Sequence, residues 1–258
     1  MKTLVLIAVR MKSKRLPGKA TADIEGKPLI ERLIERLKKC KAPDGIVLCT
    51  STHPDDEILV HIAKKKGIKW FRGSENDVLE RFMQAAEREN ATAIVRVTGD
   101  NPLTDPVYLD RVVAHHAETG AEYTSIVGLP KGTECEVISV GALKKCRRFA
   151  TNPELSEYMT LYFKNSGLFK TDHIAAEDDV RRPQYRLTVD APEDLTLVRE
   201  IYKRLNGKNT LSLQAIVKLL DGNPDLARIN AHLKPKRVKM ELVDKKMKIV
   251  EEGEDAEG

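Results

Sequence analysis

The 258-residue chain is 41% hydrophobic and 32% charged, a balance that can bury one large core and excludes a disordered or fibrous chain. Its net charge of +5 is the small excess of 44 basic over 39 acidic residues, so most charges belong on solvated helix faces and only a local cluster can mark an anionic partner. No apolar run approaches the roughly 20 residues that span a bilayer as a helix, so no membrane partner is expected.

The opening run LVLIAV, residues 4–9, is continuously apolar, as a parallel strand covered on both faces requires. It is too short for an anchor and has no small-residue cleavage site, so no signal peptide is expected. A long loop follows, then PLIERLIERLKKC, in which Leu29, Ile30, Leu33, Ile34 and Leu37 recur at helical spacing. GIVLCTS predicts a second strand, DDEILVHIAKKKG a helix ending at Gly67, IKWFRG a third strand, DVLERFMQAAEREN another helix and AIVRVTGD a fourth strand. This alternation, with its short connections, predicts an α/β fold with a mostly parallel sheet and helices on both faces. Ligands of such sheets sit beyond the carboxyl ends of the strands. The loops after strands one, two (TSTHPDD) and four (TGDNPLTDP) are therefore expected to converge on one cleft.

From Thr119 the alternation loosens. EYTSIV and TECEVISV predict strands, GALKKCRRFA and LSEYMTLYFKN helices, and YRLTVD a strand leading into the helix PEDLTLVREIYKRL, together forming the far edge of the sheet and a smaller lobe. LSLQAIVKLLDGNPDLARIN reads as a terminal helix and turn. The expected organisation is one domain over residues 1–232, a C-terminal hairpin or extension over 233–250, where RVKMELVDKKMKIVEE alternates with period two, and a disordered acidic tail over 251–258. Cys40, Cys49, Cys135 and Cys146 lie far apart with no metal-ligand spacing, which argues against a zinc site or a disulfide framework and for a reducing cytoplasm. His115 and His116 fall on a polar helix and are expected to be solvated.

The loop RMKSKRLPGK crowds Arg10, Lys12, Lys14, Arg15 and Lys19 into one turn. Such a loop repels itself unless it is solvated or meets dense negative charge. It follows the first strand of a parallel sheet, Pro17 stiffens it, and Gly18 lets backbone approach closely, a combination suited to a triphosphate. Neither GxxxxGK[ST] nor GxGxxG is present.

The segment RMKSKRLPGKATADIEGKPLIERLIERL resembles the R-x-x-S-x-R-L-P-G-K opening of the sugar cytidylyltransferases, the group that makes CMP-octulosonate and CMP-nonulosonates and includes the spore-coat polysaccharide biosynthesis protein F branch. CTSTHPDDEILVHIAKKKGIKWFRGSENDVLERFMQAAE is similar to that branch, IVRVTGDNPLTDP to the family's metal-binding loop, and YRLTVDAPEDLTLVREIY to its late VD-x-PED element, in colinear order from Met1 to Tyr202. The resemblance implies a Rossmann-like, GT-A-like nucleotidyltransferase fold, dimeric through its smaller lobe. It also implies a CTP-dependent enzyme that forms a CMP-linked sugar acid or other small acceptor, releases pyrophosphate, uses Mg²⁺ and serves surface polysaccharide or glycan synthesis. Carried over, Arg10, Ser13, Arg15 and Lys19 bind the triphosphate, with Lys14 as an addition that the motif does not require. Thr50, Ser51, Thr52 and Arg72 hold the cytosine, and Asp100 and Asp190 hold the metal. Glu134, Glu136, Glu157 and Tyr158 fall where related enzymes meet the acceptor.

Plainer readings stand beside these. Asp190 ahead of Ala-Pro-Glu-Asp also reads as a helix N-cap, and Asp100 ahead of Asn-Pro as a turn residue. Tyr158 replaces a histidine usual in the branch, and Thr98 stands where the octulosonate enzymes carry glutamine, so the acceptor is left open. The rival functions are a glycosyltransferase, for which a D-x-D motif is wanting, and a non-catalytic nucleotide binder. A nucleic-acid surface is not expected, because the basic residues cluster in one loop and are not interleaved with aromatics.

Overall fold

The computed structural model describes residues 1–13, 15–205, 211–234, 238–243 and 246–251. In chain order the elements are β1 (Thr3–Ala8), the short pair β2 (Asp23–Ile24) and β3 (Lys27–Pro28), α1 (Leu29–Leu37), β4 (Gly45–Ser51), α2 (Glu57–Lys65), β5 (Lys69–Gly73), α3 (Val78–Arg88) and β6 (Ala93–Thr98). They continue with α4 (Pro106–Thr119), β7 (Tyr123–Val127), β8 (Glu136–Ser139), α5 (Val140–Arg147), α6 (Thr160–Asn165), β9 (Thr171–Ala175), α7 (Pro192–Leu205), α8 (Leu213–Asp221), α9 (Pro224–Arg228), β10 (Val238–Val243) and β11 (Lys246–Glu251).

Seven strands form one sheet in the order β5-β4-β1-β6-β8-β7-β9. After Thr3 the run LVLIA is apolar because β1 lies between β4 and β6, parallel to both, with side chains buried on either face. The chain moves outward from β1 to β4 and β5, then returns to place β6 on the other side of β1. This reversal of strand order is where open α/β sheets bind ligands. Beyond β6 the sheet turns antiparallel at β8 and β7, and β9 closes the edge parallel to β7.

One face of the sheet packs α1, α2 and α4 through residues such as Ile30, Leu59 and Leu109, and the other packs α3, α5 and α6 through Phe82, Leu143 and Phe163. On that second face, the region around β7, α6 and the start of β9, here called the smaller lobe, is packed by aromatics: the Tyr123 and Phe163 rings stack at 5.3 Å, and Phe169 tilts onto Phe163 at 4.8 Å. A third cluster joins α7, α8 and α9 to β2 and the start of α1. Helix starts follow local chemistry. Asp105 caps α4 by accepting from the N–H groups of Val107 and Tyr108, with Pro106 as first helical residue, and Gly120 ends it in the left-handed region.

The expected strand YRLTVD does not form a ladder. It crosses the loops at the carboxyl edge of the sheet, with a single parallel bridge between Lys131 and Arg186, and Val189 N–H donates to the Asp100 carbonyl at 2.8 Å. Strand β9, unforeseen in the sequence, takes the outer edge instead. His116 is not solvated: it is buried and its Nδ1 lies 2.8 Å from Thr124 Oγ1. The period-two tail folds as the antiparallel pair β10 and β11, and Ile249 is buried against the smaller lobe. The tail from residue 252 onward lies outside the described residues. All four cysteines are free thiols, and among the described residues no helix is long and apolar enough to cross a membrane.

Candidate active site

The basic loop leaves the carboxyl end of β1 and folds back on itself: Gly18 N–H donates to the Met11 carbonyl at 3.2 Å and Lys19 N–H to that of Leu16 at 3.3 Å. Gly18, at φ 70°, makes the left-handed turn that opens the short helical turn Lys19–Thr21. Ser13 Oγ accepts from Leu16 N–H at 3.4 Å, so this side chain shapes the loop from within. Arg10 donates to the Glu75 carbonyl at 3.2 Å, and Lys12 pairs with the Glu75 carboxylate. Lys14 lies outside the described residues.

Lys19 is the centre of the arrangement. Its Nζ lies 2.8 Å from Asp100 Oδ2, 2.8 Å from Asp190 Oδ1 and 2.8 Å from the Val189 carbonyl, and its side chain is only 15% exposed. These three acceptors match the three donors of an ammonium group. Burial alone would lower its pKa, but the charges of Asp100 and Asp190 outweigh burial and raise it. Asp190 is also reached by Arg15 and Arg186, each at 3.0 Å. Burial opposes its ionisation, and Lys19, Arg15 and Arg186 together hold its pKa below the ordinary carboxylate value.

The N-cap alternative for Asp190 fails on geometry. Asp194, three residues into the α7 end, reaches back to accept from the N–H groups of Ala191 and Asp190 at 3.0 and 2.9 Å, half of a capping box. Asp190 is thereby freed from capping, and both its oxygens face cations. Asp194 is fully buried and holds Arg186 through two bonds, at 2.8 and 3.0 Å, which aims the remaining reach of that guanidinium at Asp190. Neither Arg186 nor Asp194 stood out in the sequence beyond the PED signature.

The two carboxylates suit a hard divalent cation. Asp100 and Asp190 already share one cation, and Asp100 Oδ1 is buried with no hydrogen-bond partner, an oxygen left with capacity to ligate. Among the described residues no group of three or more His, Cys, Asp or Glu forms a metal cage. Two carboxylates fit Mg²⁺, which commonly takes one or two from the protein and the rest from phosphates and water.

The loop after β4 is tied to the basic loop by a residue that the motifs did not nominate. Asp56 accepts from Met11 N–H at 2.7 Å and from Ser51 N–H at 3.0 Å, and also from Ser51 Oγ. Thr50 and Ser51 are buried and Thr52 is exposed, so this loop offers a ligand its backbone and the Thr52 side chain. Arg72 lies against this loop. Its guanidinium donates to the carbonyls of Ser51, Thr52 and His53 and pairs with Glu57 at 2.6 Å, bracing the loop.

The acceptor candidates do not come together as one set. Glu134 accepts from the N–H groups of Gly132 and Thr133 at 2.6 and 3.0 Å, locking its own turn, and burial raises its pKa. Glu136 pairs with Arg96 across β6 and β8 at 3.2 Å, and Arg96 also donates to the Glu157 carbonyl at 2.8 Å. The Glu157 side chain is exposed, and Tyr158 is half-buried against the small-lobe cluster. Arg96 thus links Glu136 to the short helical turn that carries Glu157 and Tyr158.

With this geometry in view, the comparisons agree on one assignment. Residues 4–227 match the cytidylyltransferase family. The chain belongs to that family and is a nucleotidyltransferase. It is 35% identical over 230 residues to the spore coat polysaccharide biosynthesis protein SpsF of Bacillus subtilis, covering 87% of this chain and 96% of that one. A solved cytidylyltransferase from Leptospira borgpetersenii superposes with a TM-score of 0.83 at 29% identity, over 92% of this chain and all of that one. A CMP-2-keto-3-deoxy-manno-octonic acid synthetase solved with CTP shares the fold, with a TM-score of 0.62 at 17% identity over 79% of this chain and 99% of that one. The mostly parallel seven-stranded sheet is therefore the nucleotidyltransferase fold expected from the opening motif.

Proposed function

We propose that this cytidylyltransferase joins CTP to a small sugar acid, or to another acceptor bearing a nucleophilic oxygen, and releases pyrophosphate for the synthesis of a surface polysaccharide or glycan. The observation that carries the reading is the pair of carboxylates, Asp100 and Asp190, sharing the Lys19 ammonium at the foot of a cationic loop. The CTP bound to the octonic acid synthetase of the same fold, and the polysaccharide role in the name of the SpsF relative, support the nucleotide and the product class.

In this reading Arg10, Ser13, Arg15 and Lys19 receive the triphosphate, and the cations draw charge onto the departing pyrophosphate as the acceptor oxygen attacks the α-phosphorus. Positioning and charge stabilisation are the main demands of such a displacement. The backbone around Thr50 to Thr52 reads the pyrimidine edge, and Arg72 keeps that backbone rigid. Asp100 and Asp190 would hold Mg²⁺, which would supply Lewis-acid charge stabilisation to the reacting phosphate. Arg96 and Glu136 present a charged wall to the acceptor beside Tyr158. The enzyme works as a homodimer through its smaller lobe, in the reducing cytoplasm where its four thiols stay free.

The test is pyrophosphate release from CTP across a panel of sugar acids, sugar phosphates and phosphorylated metabolites. Acceptor-dependent release with CTP well above that with ATP or GTP is the expected result. Transfer from a nucleotide-sugar without pyrophosphate release would replace this reading with that of a glycosyltransferase.

A further inference from the structure

We propose that Lys19 is a stand-in cation: its ammonium fills the position between Asp100 and Asp190 and excludes a divalent ion until nucleotide phosphates draw the lysine away. The inference rests on the metal assignment in the proposed function and adds a role that phosphate binding alone does not give this residue.

Three observations carry it. The ammonium has a full complement of acceptors, all at 2.8 Å, and none of them belongs to its own loop. An interaction this complete competes directly with any ion seeking the same oxygens. The charge balance also disfavours simultaneous occupancy: Arg186 is already matched by Asp194, and Lys19 and Arg15 between them neutralise Asp100 and Asp190. A divalent ion added to that set would find no net negative charge to hold it unless Lys19 left. Finally, Lys19 is able to move once phosphates offer it a new partner. Its backbone is pinned through Leu16 and the Gly18 turn, whereas its four-carbon stem is flexible, so the ammonium can swing without refolding the loop.

Nucleotide and metal binding are then coupled in sign and in size. Phosphates give Lys19 a new partner, its departure uncovers Asp100 and Asp190, and the ion enters where the ammonium stood. By linkage the metal tightens nucleotide binding by the same factor that nucleotide tightens metal binding. Removing the lysine should have an unusual result: the nucleotide-free protein gains metal affinity although its triphosphate site is weakened.

The experiment titrates Mn²⁺ into nucleotide-free protein, following loss of the free-ion electron paramagnetic resonance signal, for wild type, Lys19→Met and the double variant Lys19→Met/Asp100→Asn. The expected result is at least tenfold tighter Mn²⁺ binding in Lys19→Met, abolished in the double variant, and a smaller CTP-induced gain in Mn²⁺ affinity than in wild type. If Lys19→Met lacks a cooperative melting transition, Lys19→Gln, whose amide can still donate to one carboxylate, is read in its place with the same expected direction. Mn²⁺ binding by the lysine variant no tighter than by wild type overturns the stand-in role. In that event, CTP-dependent Mn²⁺ binding by wild type that Asp100→Asn abolishes leaves the metal assignment standing, and its absence removes that assignment too.

Discussion

Replacing Asp194 with alanine tests whether the aim of Asp190 depends on a buried scaffold. The carboxylate of Asp194 is fully buried and accepts from Arg186 Nε and Nη2, from the N–H groups of Asp190 and Ala191, and from Asn230 Nδ2 at 2.8 Å. Truncating one partner of a buried ion pair costs about 3–5 kcal/mol, because the other charge stays behind without compensation. Arg186 retains Asp190 at 3.0 Å, which places the cost near the lower end, at about 3 kcal/mol. For a chain of this size that corresponds to a fall in Tm of roughly 6 °C or more. Thermal unfolding followed by circular dichroism reads the effect. A paired replacement, Arg186→Met with Asp194→Leu, should recover only the part of the loss due to the stranded Arg186 charge, because the N–H groups of Asp190 and Ala191 and the Asn230 amide still lose their acceptor. A Tm within about 1 °C of wild type for Asp194→Ala, less than the shift of even a 1 kcal/mol loss, would refute the scaffold argument.

Asp100→Asn and Asp190→Asn each preserve shape while removing a charge, so pyrophosphate release should fall at least 10²-fold, about 3 kcal/mol of transition-state stabilisation, while both variants still melt cooperatively. Near-normal release by either variant would remove that residue from the metal pair. Asp56, buried beneath Met11 and Ser51, has its pKa lowered: burial raises it, and the Met11 N–H and Ser51 hydroxyl bonds outweigh burial. A depressed folded-state value means its stabilisation is full well above the unfolded carboxylate pKa of about 3.9 and is lost as pH falls through the folded value. The stability gap between wild type and Asp56→Asn should therefore begin to narrow as pH falls below about 5 and keep narrowing as pH falls through the folded value, as read in urea titrations, and a gap independent of pH would contradict the assignment. At Gly132, φ is 95° and an added Cβ would lie 2.5 Å from the Thr188 backbone nitrogen. Gly132→Ala should destabilise by about 2 kcal/mol or more, measured as a lowered urea midpoint, because backbone and not a flexible side chain stands in the way.

The parallel half of the fold was legible because its strands and helices differ in period and are punctuated by short loops. LVLIAV, GIVLCTS and AIVRVT became neighbours in one sheet, and the loops after them converge through Asp56 and Lys19. The antiparallel half was less so. YRLTVD has the composition of a strand, yet its backbone bonds go to loop residues Asp100 and Lys131, so local sequence cannot predict its irregular path. His116 misled for a related reason. A histidine on a helix with polar neighbours reads as solvated until β7 is found packed against it, with Thr124 supplying the partner for its ring.

The motifs singled out candidate positions, but not the contacts that each side chain makes. Arg72 and Asp56 illustrate the difference. One lies in a recognisable segment and braces backbone; the other has no signature beyond HPDD and joins two loops. The crowding of five like charges in one loop has a related answer. Self-repulsion in the described part of the loop is relieved by the protein's own acids, since Lys12 has Glu75, Arg15 has Asp190, and Lys19 has both Asp100 and Asp190. Under the proposed function, triphosphate binding is then an exchange of partners, with little bare charge to neutralise. Its net free energy is the small difference between ion pairs broken and formed, which makes it sensitive to a single added cation. A loop arranged in this way gains selectivity for a nucleotide that arrives with its metal, because only that combination supplies both a new anion for Lys19 and a new cation for Asp100 and Asp190.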